Sequence, residues 1–301
     1  MKPWGVIARF ESLCVPAFFT VSSFLFFRKC WFLGFGNNDA AYLKFIKRLV
    51  IVYFFYFFLL SPVIISNRGY MDMRLMESIG TFMLDLLLRY TYPGSWFLSA
   101  LVVSTTIVYF CGKYIKTYWL LLPLLALHIY VYNTELFPQN VQVLYDWYEE
   151  HIRTMRLSFT AALFPVCLGS VLSHPRLLLF YGKIKDYNKY CLLALGVLFA
   201  AYCLTGGIVY SYFLLVLIFV FFYNLDLPSN PIYKRLREYS ILFFFWHFIV
   251  IQVFKMIYGE EVFHLFGVSL FFVVVVIITI ISTVILALEN KKYFRWLTYS
   301  H

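Results

Sequence analysis

Along this chain apolar residues do not alternate with polar ones. They gather in runs about twenty residues long, separated by short clusters of charge. A helix rises ~1.5 Å per residue, so about twenty residues cross the ~30 Å hydrocarbon layer of a bilayer. In lipid every backbone N–H needs a partner within its own segment, which makes such runs helices. The lack of period-two alternation sets aside an outer-membrane barrel. The pattern predicts about nine transmembrane helices, over residues 7–27, 48–66, 95–112, 117–133, 157–173, 190–205, 207–223, 239–258 and 265–288. No repeat of fixed period and no low-complexity linker interrupts them. Residues 1–301 therefore read as a single transmembrane domain, an all-α polytopic membrane bundle.

Composition agrees: 62% of residues are hydrophobic, 22% aromatic and only 13% charged, with a mean hydropathy of +0.79. A soluble domain carries about 25% charged residues. The formal charge of +10 changes the picture through its placement. On one side of the alternating spans lie Arg28, Lys29, Lys44, Lys47, Arg48, Lys113, Lys116, Arg176, Lys183, Lys185, Lys189, Lys234, Arg235, Arg237, Lys291, Lys292 and Arg295. The acids there are only Asp39, Asp186, Asp226, Glu238 and Glu289. Positive charge marks the cytoplasm. The expected orientation is N-terminus outside and C-terminus cytoplasmic, which requires an odd number of spans. The charge is a topology signal and calls for no nucleic acid. The first apolar run has no small-residue cleavage site and reads as a retained helix. The six cysteines sit in or beside apolar runs and contain no CxxC, so they read as small hydrophobes; no metal is expected.

Two outward segments are more than connectors. Residues 70–91 put Leu75, Ile79, Phe82 and Leu86 on one helical face, with Asp85 and Arg89 spaced as an i,i+4 pair; they predict an interfacial helix on the outer surface. Residues 134–156 form an acidic, aromatic outer loop, either a solvated cap or a lid whose rings stack on sugar. Polar residues within spans usually face a cavity or one another. Those here are Glu11, Ser22, Ser23, His128 and His247, with Arg156 at the threshold of the fifth span. None is accompanied by a G-x-S-x-G elbow, an H-E-x-x-H pair or a P-loop.

The order of several short patterns carries a resemblance. VPAFFTVSSFLFF, KFIKRLVIVYFFYFFLLSP, PGSWFLSALVVS, MRLSFTAALFPVCLGSVLS and REYSILFFFWHFIVIQVF follow one another from residue 15 to residue 254. This succession resembles the acyltransferase family 3 membrane proteins, O-acyltransferases of bacterial cell-surface glycans. The resemblance implies transfer of an acyl group, commonly acetyl, from cytoplasmic acyl-CoA to a glycan hydroxyl outside the bacterial cytoplasmic (inner) membrane. The partners are then membrane lipid and a glycan acceptor, and acyl-CoA is the co-substrate. It implies that Lys47 and Arg48 stand at the CoA mouth, where cations suit phosphates. Ser22, Arg156 and His247 line the inner polar channel, and Trp96 packs at its outer end. The family begins with one more helix, which carries its base histidine; this chain starts at the counterpart of the second, and Ser23 stands where the family has Gly. Weak turnover of the chain alone is the resulting expectation. A glycan or lipid transporter, or a degenerate pseudo-enzyme, is the alternative reading.

Overall fold

The computed structural model describes residues 3–33, 38–68, 72–89, 91–92, 94–152, 154–205, 208–225, 228, 230–259, 262–289, 291, 293–294 and 297. Among these residues the regular structure is helical, with no strand. In chain order the helices are α1 (Pro3–Leu33), α2 (Asp39–Arg68), α3 (Leu75–Leu87), α4 (Ser95–Tyr114), α5 (Thr117–Tyr132) and α6 (Gln139–His151). They continue as α7 (Phe159–Leu172), α8 (Pro175–Lys183), α9 (Asn188–Thr205), α10 (Ile208–Tyr223), α11 (Pro231–Tyr258) and α12 (Val262–Leu288). Among the described residues each apolar run contains a helix. Four helical stretches are long and apolar enough by themselves to cross a membrane: Leu13–Phe32, Ser95–Tyr114, Pro231–Tyr258 and Ser269–Leu288. Phe159–Leu172 and Pro175–Lys183 pass only as a pair bent by 67°, while Thr117–Tyr132 and Tyr210–Tyr223 are apolar but shorter. The chain is an all-α protein with the helices of a membrane protein.

The helices form two compact units. The first holds residues 1–46 and 100–227, the second residues 47–99 and 228–301.

In the first unit α7 is the central element. Thr160 to Ser170 are all buried, as expected of a helix that is apolar on every side. Ser158 starts it, accepting the amide of Thr160 at 3.4 Å, a hydroxyl N-cap. Helix α1 crosses α7 at Gly169. A Cβ there would lie 2.0 Å from the Ser23 hydroxyl, 2.3 Å from the Thr20 carbonyl and 2.9 Å from the Phe24 amide. Small residues let helix backbones approach where lipid supplies no hydrophobic drive between them. Thr20 fastens the crossing by donating to the Pro165 carbonyl at 3.2 Å. Trp31 extends it, donating to the Ser170 carbonyl at 3.4 Å. Phe24, Phe164, Leu168, Leu172, Tyr181, Tyr212, Leu215 and Val220 make the adjoining core.

In the second unit α11 and α12 pack along their lengths through Val250, Leu270, Val274 and Ile278. Asn230 caps α11, accepting the Ile232 amide at 2.9 Å, with Pro231 in the first turn. Leu297 folds back onto Leu242, Ile285 and Leu286. At the polar end of this pair Glu238 is buried and holds Arg235 at 3.4 Å and Lys234 at 3.8 Å, while Arg235 also reaches Glu289 at 3.7 Å. Tyr56 of α2 stacks on Phe245, centroids 4.4 Å apart. Helix α3 docks on α2 through Phe82 and Phe57 at 5.4 Å.

The expected i,i+4 pair is present: Arg89 lies 3.6 Å from Asp85, which is 1% exposed. The expected apolar face of α3 is divided. Leu75 and Ile79 are exposed together with Met76 and Met83, whereas Phe82 and Leu86 are half-buried. Within the segment expected to be a loop, Gln139–His151 form a helix. Helix α6 turns Val141, Tyr145 and Tyr148 onto Tyr130, Val131 and Met155, leaving Val143, Leu144 and Trp147 exposed.

Candidate functional site

The residues singled out from the sequence divide between the units. Ser22 and Arg156 belong to the first; Lys47, Arg48, Trp96 and His247 belong to the second. The side chain of Glu11 lies outside the described residues.

Arg156 sits in a 3₁₀ turn, Met155–Leu157, and is exposed. Its Nε donates to the Val131 carbonyl and its Nη2 to the Tyr132 carbonyl, both at 3.3 Å. Its guanidinium lies 5.8 Å from the Tyr132 ring centroid. These carbonyls belong to the last turn of α5, which has no intrahelical partner for them. A cation there also meets the negative end of the helix dipole. Arg156 thus ties the end of α5 to the segment that follows α6. Ser22 is half-buried; its neighbour Ser23 is the packing residue, donating within its own helix to Phe19 and Thr20 and lying against Gly169. His128 is buried and shares a 2.8 Å hydrogen bond with Tyr212, beside Tyr132 and Phe164. It is a packed histidine.

His247 has a different setting. It is half-buried in α11, and its Nδ1 lies 3.0 Å from the Phe243 carbonyl. A carbonyl can only accept, so Nδ1 carries the proton and Nε2 carries the lone pair. The ring lies 3.9 Å from Phe248 and 5.9 Å from Phe244. Both phenylalanines pack on the start of α4. The Phe244 and Phe97 rings are 4.9 Å apart. The Phe248 ring comes so close to Gly94 that a Cβ there would be 2.6 Å from it. Gly94 has φ +89°, a left-handed conformation that favours glycine. The helix start that carries Trp96 therefore packs on the turn of α11 that carries His247. Trp96 itself is half-buried, edge-on to Phe97 at 6.5 Å.

A buried polar knot fixes this helix start. The Ser95 hydroxyl accepts the amides of Thr91 and Tyr92, each at 3.2 Å, and donates to the Tyr92 carbonyl at 2.8 Å. Tyr53 of α2 shares a 2.7 Å bond with the Thr91 hydroxyl, and Tyr92 donates to the Tyr53 carbonyl at 3.3 Å. Sequence reading missed Tyr53, Thr91, Tyr92 and Ser95. The usable signal was a Gly followed by Ser at the head of an apolar run, a helix-start signature.

Lys47 and Arg48 are exposed. They do not head their helix: α2 begins at Asp39, about two turns earlier. In the first unit, Asp39 accepts from Tyr109 at 2.9 Å and from Lys113 at 2.6 Å, and Tyr109 stacks on Tyr42 at 4.6 Å. Those two hydrogen bonds, that of Lys113 first, hold the Asp39 carboxyl below its ordinary range. Among the described residues no group of three or more His, Cys, Asp or Glu side chains is placed to hold a metal ion. No known protein family, characterised protein or solved structure matches the chain.

Proposed function

We propose that this chain is a membrane O-acyltransferase of the acyltransferase family 3 type. It carries an acyl group, commonly acetyl, from cytoplasmic acyl-CoA to a hydroxyl of a cell-surface glycan. The proposed setting is a bacterial cytoplasmic membrane with nine spans, N-terminus outside, C-terminus inside and α3 lying on the outer surface. Five family-like segments in order support the assignment. The observation that carries the chemistry is the His247 tautomer: Nδ1 is committed to the Phe243 carbonyl, and Nε2 keeps the lone pair. In the reaction the thioester C–S bond breaks, an ester C–O bond forms and the CoA thiol leaves. Nε2 of His247 takes the proton of the attacking hydroxyl. Phe244 and Phe248 hold the imidazole against the start of α4. Lys47 and Arg48 meet the phosphates of acyl-CoA, and Trp96 borders the path to the acceptor.

The test is acyl transfer from radiolabelled acetyl-CoA to glycan by the full chain in proteoliposomes. Turnover by this chain should be weak, and His247→Gln should lower it further, toward the roughly 10²- to 10⁴-fold that a general base contributes, while acetyl-CoA binding stays unchanged. Equal turnover by His247→Gln and the parent chain would remove His247 from the chemistry. Glycan movement without consumption of acetyl-CoA would replace the enzyme with a transporter.

A further inference from the structure

Helix α8 leaves α7 at a 67° bend. His174 makes the corner: its Nδ1 accepts the Arg176 amide at 3.2 Å, and Pro175 opens the helix. Leu177, Leu178, Tyr181 and Ile184 turn inward onto the core of the first unit. The opposite face reads Arg176, Leu179, Phe180 and Lys183, all exposed, with Leu179 71% exposed. These four follow the i, i+3, i+4, i+7 spacing of one helical face. Lys185, Tyr187, Lys189 and Tyr190 continue the exposed surface, and Lys189 lies 5.1 Å from the Tyr190 ring centroid. Asp186 is the lone acid from 174 to 190.

An exposed leucine and phenylalanine flanked by two cations on one helical face suit a membrane surface, where the apolar pair and the charges each find a partner. We propose that α8 lies in the plane of the membrane and binds anionic phospholipid headgroups. Leu179 and Phe180 enter the acyl boundary while Arg176 and Lys183 hold the phosphates, with Lys185 and Lys189 beside them. Apolar area and cations act together in such helices, and tyrosines suit the headgroup level. Neighbouring α7 and α9, both apolar, hold α8 at that depth. The inference rests on the membrane reading of these helices and is independent of acyl transfer.

The experiment uses the full chain with its accessible cysteines replaced and a bimane probe on Leu179→Cys. It is placed in vesicles where the brominated lipid is either phosphatidylglycerol or phosphatidylcholine at the same mole fraction. Brominated phosphatidylglycerol should quench the probe more strongly. Arg176→Gln and Lys183→Gln, both at exposed positions, should each reduce that preference about fivefold. A probe on Val276→Cys, on the exposed face of α12, is the reference. If Val276 is quenched and Leu179 is not, α8 does not lie in the membrane and the inference falls alone. If neither is quenched, the membrane reading falls with it. Equal quenching at Leu179 by the two lipids overturns the headgroup preference.

Discussion

At position 169 a single hydrogen atom sets how closely two helices pass. Of the three atoms that a Cβ would strike, the Ser23 hydroxyl can rotate away, but the Thr20 carbonyl and the Phe24 amide are helix backbone. Gly169→Ala should therefore destabilise the chain by about 1–3 kcal/mol, the range for overpacking. Adding Ser23→Gly should restore only part of the loss. Thermal unfolding of the detergent-solubilised protein would measure both. Asp39 offers a second test. Its folded pKa lies below the ordinary 3.8, so its contribution is complete above the unfolded value and is lost as pH falls through the folded one. Stability should be insensitive to this contact from pH 7 down to about 4 and decline below it. Asp39→Asn should remove that acid-sensitive component, as read from melting curves across the same pH range.

Helices α1, α2 and α11 outran the spans that the apolar runs predicted, whereas α5, α7 and α10 did not; a helix continues through amphipathic sequence while a hydropathy pattern stops at the first charge. Helix α11 starts at Pro231, well before the expected 239, and its polar end is organised around buried Glu238. Helix α6 was unread for a related reason. Its inner face is Val141, Tyr145 and Tyr148, while its outer face carries Val143, Leu144 and Trp147, so no clean apolar stripe appears. The Asp85–Arg89 pair was legible, since i,i+4 spacing is local. The knot of Tyr53, Thr91, Tyr92 and Ser95 was not, since it joins separate helices. Arg156 belongs to this scale through the carbonyls that it caps. Arg156→Ala should free the last turn of α5 and loosen its tie to the segment that follows α6 at a cost of roughly 1 kcal/mol. Protected amides of α6 should then exchange about fivefold faster in hydrogen-exchange mass spectrometry.

For the whole molecule, the distribution of basic residues predicts which surface faces which compartment. With native cysteines replaced, an impermeant maleimide applied outside should label Asp146→Cys and miss Lys185→Cys; both positions are exposed. The reverse pattern would invert the proposed topology. The all-α class was legible from the apolar runs, but four helices, and not the expected nine, are long and apolar enough by themselves to cross a membrane. The candidate site was legible only in part: His247 stood out as an ionisable group in an apolar run with Phe243 one turn away, but the packing of Phe244 and Phe248 on the start of α4 joins residues far apart in the chain. The α1–α7 crossing finally makes a statement about ancestry. Backbone atoms forbid any side chain at 169, whereas position 23 needs only to stay small. Sequences descended from a common ancestor with this chain should hold glycine at 169 through divergence, while position 23 drifts between serine and glycine. That pairing is a signature by which distant kin can be recognised after the apolar runs have lost all identity.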